Sequence, residues 1–349
     1  MCEVEEQVLS DVHVHIPPSS CLLDNGGGHA STRFYFIIPE SAHGCLSPQS
    51  STEENASQSD TDQLSVSKHP VTPSDNHADE SVTMATVDED GDLLVIRKRQ
   101  HSEHVILIDH AMATTLSDVG LQVWQGCLLL CDFLLTNREM FRDQVALEMG
   151  AGVGLASIVM AMTASFVLCT DVGKSVLEMC QRNISNNFHQ ILDCRDTSRL
   201  KPVVQVRELD WRQSGMNTDW SSPFRWNDSD MEALGEVTVI IAADVVYDDD
   251  LTDAFFTILT RLMMTGKEKT AFIALEKRLN FTTDDLAVTC KAYDHFRWHI
   301  SKLASSQDAG DGVKYSVEQL PVDFPKCFRY IRTEQLELWK ISTARLMIN

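Results

Sequence analysis

From about Val105 to Asn349, short apolar runs alternate with stretches whose apolar residues recur at helical spacing. Leu121, Trp124, Leu128, Cys131 and Leu135 predict a helix ahead of a first strand, Val145 to Met149. Leu155, Ile158, Val159 and Met162 mark the next helix, and Phe166 to Thr170 the second strand. A helix carrying Val176, Leu177, Cys180, Ile184 and Phe188 follows, then strands at Val203 to Leu209 and Val237 to Ala243. Leu251, Phe255, Ile258, Leu259 and Leu262 make an amphipathic helix, and Thr270 to Leu275 a fifth strand. Strands alternating with helices imply a parallel sheet covered by helices, an α/β fold. The end differs: Tyr315 to Leu320 and Phe328 to Ile341 carry strand patterns with no ten-residue helix between them. They predict an antiparallel hairpin closing the sheet.

The first hundred residues have another character. Between Ser41 and Asp92 eleven acids face a single base, Lys68, in a stretch rich in Ser, Thr, Asn and Gln. Such a segment buries too little apolar surface to offset its ordering entropy and reads as disordered. Ahead of it, Arg33-Phe34-Tyr35-Phe36-Ile37-Ile38 is a strand-like island that could dock on the main domain. The expected organisation is an N-terminal segment with a docking strand at 1–40, an acidic Ser-rich linker at 41–103, and the folded domain at 104–349.

Charge narrows the partners. The net charge of −22 repels phosphate backbones, so direct nucleic-acid binding is disfavoured and basic partners are favoured. The six tryptophans are not interleaved with a basic stripe. No run of about 18 apolar residues suggests a membrane span, and the acidic Met-Cys-Glu-Val-Glu-Glu opening is unlike a secretory signal. The ten cysteines contain no C-x-x-C pair and read as free thiols in a reducing compartment, nucleus or cytoplasm. His110, His295 and His299 look scattered, with no pairing that suggests a metal or a base.

The sharpest chemical signal is Glu148-Met149-Gly150-Ala151-Gly152-Val153-Gly154, at the first strand's junction with the next helix. Glycines permit a tight turn and close approach to a ligand at a helix N-terminus. A dinucleotide fingerprint would read G-x-G-x-x-G, and here the third glycine comes one residue early. Asp171, ending the second strand, is placed to accept hydrogen bonds from both hydroxyls of a ribose. Asp210-Trp211 ends the third strand; the acid could take an adenine amine and the indole pack on the ring, or the pair is a surface turn. Ala242-Ala243-Asp244-Val245-Val246-Tyr247 ends the fourth, where open α/β sheets bind ligands.

Together these residues resemble the seven-strand, S-adenosylmethionine-dependent methyltransferases, and more closely their lysine-methylating branch, methyltransferase family 16. The resemblance covers about Ile106 to Ile341 and rests on Trp124, on Glu148 to Leu155, on Leu209-Asp210-Trp211 and on the D-x-x-Y of Asp244 to Tyr247. It implies a seven-stranded class I (Rossmann-like) sheet with an antiparallel C-terminal hairpin. S-adenosyl-L-methionine would be held by Trp124, Glu148, Gly150, Ala151, Gly152, Gly154, Asp171, Asp210, Trp211 and Ala243.

The implied reaction is methyl transfer to the side-chain amine of a lysine in a protein substrate that is basic at its contact surface. Association with a chaperone is a further implied partner. Asp244 would orient the amine and Tyr247 line its channel, making these two the catalytic pair. Asp248, Asp249 and Asp250 sit either at the channel mouth or as the acidic first turn of the next helix. Glu276, Lys277 and Arg278 could read substrate or form an ordinary charge cluster. Met149 and Val153 stand where the family has Leu and Thr, so a loop hydroxyl for the cofactor is lost. Competing readings are a catalytically silent cofactor-binding interaction module and a methyltransferase for histidine or a small molecule. A nucleic-acid methyltransferase ranks last, since the prolines of [D/N]-P-P-[Y/F] are absent.

Overall fold

A computed structural model describes residues 7–10, 12, 20–23, 28–39, 85–87, 93–95, 103–195, 203–213, 216–282, 287–305 and 313–345. The chain divides into two compact units, Met1–Pro39 with Ser102–Asn349, and Glu40–His101. In the smaller unit, Ala85–Val87 pairs antiparallel with Leu93–Val95. The rest of the acidic linker lies outside the described residues.

In the larger unit β1 (His29–Ile37) pairs antiparallel with β2 (Glu103–Ala111) along nine residues. Alternation sends Phe34 and Phe36 inward, where both are buried. The strand-like island is therefore a full strand of the folded domain. After β2 come α1 (Gln125–Thr136), β3 (Val145–Met149), α2 (Leu155–Ala161), β4 (Phe166–Asp171), α3 (Lys174–Asn186) and β5 (Val203–Glu208). The C-terminal half adds β6 (Val239–Ala243), α4 (Asp249–Met264), β7 (Thr270–Glu276), α5 (Lys291–Ser305), β8 (Val313–Leu320) and β9 (Leu336–Arg345).

Seven strands form the central sheet in the order β5-β4-β3-β6-β7-β9-β8. All neighbours are parallel except β9, which runs antiparallel to both β7 and β8. The expected hairpin is present, with a shift: its second strand starts at Leu336, and Phe328 instead makes an isolated bridge to Phe36. The central strands are apolar except for Glu148, because helices cover both faces.

Two findings depart from the periodicity. The helix marked by Leu121 and Trp124 starts only at Gln125; Leu121 ends a preceding 3-10 turn, Leu116–Leu121, and Trp124 is the N-cap. The stretch Leu116–Thr136 is long and apolar enough to cross a membrane by composition, yet it is mostly buried within the domain. The helix α5 was not expected, although Phe296, Ile300 and Leu303 bury one face of it.

Polar side chains secure these elements. Asp132, fully buried on α1, accepts from the Cys327 and Phe328 amides at 2.8 and 2.9 Å, from the Tyr330 hydroxyl at 2.9 Å and from Arg332 at 2.5 Å. On the far side, Asn183 and Asn187 meet the outer edge of β2. Asn187 accepts from Leu107 N at 2.9 Å and donates to Leu107 O at 2.7 Å, and Asn183 does the same at Asp109 at 2.8 and 2.9 Å. Each amide thus answers a strand's donor and acceptor together, as a neighbouring strand would.

Candidate active site

At the C-terminal ends of β3, β4, β5 and β6 lies a cleft. Its wall contains Trp124, Glu148, Gly150, Ala151, Gly152, Asp171, Asp210, Trp211, Ala243, Asp244 and Tyr247. Every nominated residue except Gly154 is therefore brought to one place. Gly154 stands outside the wall, at the N-cap of α2 with φ 86°, where a Cβ would lie 2.8 Å from Cys180 Sγ. What the structure shows for Gly154 is close packing between two helices.

The glycine loop turns through positive φ at Gly150 and Gly152. Gly152 passes under the Gly120 carbonyl, 2.8 Å from where a Cβ would sit, so no other residue fits there. Its amide donates to Asp171 Oδ2 at 2.6 Å, while Val172 N donates to Oδ1 at 2.7 Å. The loop thereby aims the carboxylate that the ribose would use. Burial pushes the Asp171 carboxyl up, against the pull of those two amides. Val153 is 3% exposed, packs into the core and also lines the cleft, so it offers the site apolar contact rather than a hydroxyl.

Glu148 is 1% exposed and takes a hydrogen bond from Ser157 Oγ. Burial pushes its carboxyl up to about 8, with the Asp171 charge adding to the rise. The folded chain thus holds a proton that the unfolded chain releases near pH 4.5. Stability from this group is present below that pH and is lost as pH rises toward about 8. Glu148→Gln should flatten that decline in urea melts taken from pH 5 to 8.

Asp244 has a different setting from the one expected. Its φ is 53°, a left-handed conformation that Asp tolerates better than most residues. Gly126 N donates to Oδ2 at 2.5 Å and Glu276 N to Oδ1 at 2.9 Å. A Cβ on Gly126 would lie 2.6 Å from Oδ2, so glycine is required at the first turn of α1. Burial pushes the carboxyl up, against Arg278 and the surrounding amides. Each oxygen thus accepts one backbone amide and ties α1 to the end of β7, a bracing role beside the amine-orienting one expected of Asp244, which also lines the cleft.

Tyr247 is half-buried, and its hydroxyl is pushed up to about 12 by burial and the nearby Asp171 charge, so it stays protonated. It also lines a second, outer hollow with Asp248, Asp249, Asp250, Glu276 and Tyr293. Asp248 caps α4 through Leu251 N at 2.8 Å, so these acids form the helix's first turn as well as that hollow's wall. Arg278 sits over the Trp124 ring at 4.4 Å, and Trp124 Nε1 donates to Val119 O at 3.0 Å. Lys277 pairs with Glu337 at 3.0 Å, an ordinary ion pair.

Sequence reasoning did not assign Val119, Gly120, Val172 and Val176 to the cleft they help to line. Only their places beside the motifs could have marked them. It also missed that His295 and His299 lie one turn apart and both reach Asp253. His110 is instead a buried structural residue, bonded to Thr32 at 2.8 Å.

The pocket suits an adenosyl cofactor. Trp211 Nε1 is buried with no hydrogen-bond partner among the described residues, and the same cleft is lined by Asp171 and several apolar side chains. Fold and cleft define a class I, S-adenosylmethionine-dependent methyltransferase. The lysine methyltransferase family model matches residues 101–287, and the chain belongs to that family. It is 40% identical to human methyltransferase-like protein 22 over 343 residues, 95% of this chain and 81% of that protein. The mouse protein of the same name is 46% identical over 257 residues, 72% of this chain and 63% of its own length. Mouse protein-lysine methyltransferase METTL21E is 35% identical over 130 residues, covering 37% and 45%. A crystal structure of magnesium protoporphyrin IX methyltransferase from Synechocystis with bound SAH aligns at a TM-score of 0.35 and 12% identity, over 65% of this chain and 85% of that one.

Proposed function

We propose that the protein methylates the side-chain amine of a lysine in a basic protein substrate. The observation that carries this reading is Tyr247, which belongs both to the cofactor cleft and to the outer hollow, whose wall sets four acids against Arg278 and Lys291. A lysine ammonium is drawn to Asp248, Asp249, Asp250 and Glu276, and its flanking basic residues meet the same field. Past Tyr247 the amine leaves water, which favours its neutral, nucleophilic form. The bound cofactor supplies a methyl group already activated on a sulfonium. The chain's own work is positioning: Asp171 fixes the ribose, Trp211 and the cleft's apolar side chains hold the base, and Asp244 keeps α1 and β7 at the spacing the cleft needs.

Incubation with tritiated cofactor and a nuclear or cytosolic extract tests the reading. A labelled protein band that vanishes when extract lysines are acetylated supports it. Label that survives acetylation moves the acceptor to histidine, and no label with the cofactor bound leaves the silent-module reading. Asp171→Ala should weaken binding of S-adenosylhomocysteine by at least about tenfold, the loss of a charged hydrogen-bond pair, measured by calorimetry. An unchanged dissociation constant would place the ribose elsewhere.

A further inference from the structure

Away from the cleft, Asp253 on α4 faces His295 and His299 on α5. The two histidines are four residues apart, so they share one helix face. Both Nε2 atoms converge on the same oxygen, Asp253 Oδ1, each at 2.7 Å. Among the described residues this is the one grouping in which three metal-type ligand atoms all lie within 4.8 Å of one another.

The rings are also held in place. His299 stacks flat on Phe256, with centroids 4.4 Å apart and planes 3° apart, and Trp298 meets its edge at 4.7 Å. His295 lies parallel to the Trp298 ring at 5.9 Å. Ring orientation is what a metal site needs its outer contacts to fix. Asp253 is 56% exposed at its side chain and His295 27%, so an ion and a water ligand can reach the group.

We propose that Asp253, His295 and His299 form a Zn²⁺ site with water as the fourth ligand, pinning α5 to the second turn of α4. Two imidazole nitrogens and one carboxylate are a donor set suited to this ion. Tetrahedral bonds of about 2.0–2.1 Å place ligand atoms about 3.3 Å apart. The present contacts must therefore open by about half an ångström, which the exposed Asp253 side chain can supply. Each ring then binds as the tautomer that carries its proton on Nδ1, so two neutral rings release no proton.

Zinc titration of the full-length protein against a chromogenic chelator, with melting curves in zinc and in chelator, tests the site. One equivalent should bind, and zinc should raise the melting temperature. His295→Ala and Asp253→Asn remove exposed ligands and leave His299 on Phe256. Each should weaken binding by at least about tenfold and abolish the zinc-dependent rise. If the wild type shows no zinc-dependent rise, or both variants bind as tightly as it does, the proposal is wrong. The latter result would assign any bound zinc to cysteines or to histidines elsewhere.

Discussion

Removing residues 1–95 should lower the melting temperature by at least about 10 °C. The acidic stretch supplies little core, and the loss comes through β1. Phe34 and Phe36 are 5% and 1% exposed, and Phe36 stacks on Phe328 at 5.1 Å. Ile37 N donates to Cys327 O at 3.1 Å, so the strand also braces the loop that Asp132 holds. Two buried phenylalanines contribute about 3–6 kcal/mol, and the ladder to β2 is lost besides. At about 2–4 °C per kcal/mol for a domain of this size, the fall is large. Calorimetry on the truncated chain checks it; a shift of under about 2 °C would mean that β1 is dispensable. Phe36→Ala in the full chain, costing about 3–5 kcal/mol, separates the strand's contribution from that of the rest.

Asp244→Asn should cost stability and cofactor affinity together. One oxygen of the carboxylate becomes an NH₂ that faces a backbone N–H, either at Gly126 or at Glu276. A buried donor left without its acceptor, with the charge gone, costs about 2 kcal/mol or more. The N-terminus of α1 then shifts, and Trp124 with it, so the cleft's wall moves. Methyl transfer should fall by about 10²-fold or more, as expected for misplaced groups in a reaction that depends on position. Gly126→Ala should give the same pattern, since its Cβ displaces the same carboxylate oxygen. Thermal melts, calorimetry with S-adenosylhomocysteine and a methylation assay read the three effects. If Asp244→Asn keeps stability and affinity while turnover disappears, the carboxylate acts on the amine and the bracing role is secondary.

The sheet was readable because its central strands are buried on both faces and appear as apolar runs, such as Val239 to Ala243. The cleft was readable because its motifs end those strands, and parallel strands deliver their C-termini to one side. What each motif residue touches was not readable. Asp244 meets amides 118 and 32 residues away, and nothing local in Asp-Val-Val-Tyr announces either. The partner of β1 was hidden for a similar reason. Alternation in Arg33 to Ile38 shows a strand, but its partner lies beyond the whole acidic stretch. The helix α5 was missed because its apolar positions, Phe296, Ile300 and Leu303, are diluted by a face of His, Arg, Trp and Lys. That same face hid the histidine pair, since a spacing of four gains meaning only once the helix is known.

The side-chain amides of Asn183 and Asn187 bear on how this chain avoids sticking to itself. An outermost strand ordinarily offers bare N–H and C=O groups to any passing β-segment, the first step of ribbon growth between molecules. At Leu107 and Asp109 those groups are already taken by a helix of the same chain. Foreign backbone can add there only by first prising α3 away, so the guard against self-association lasts as long as the helix stays docked.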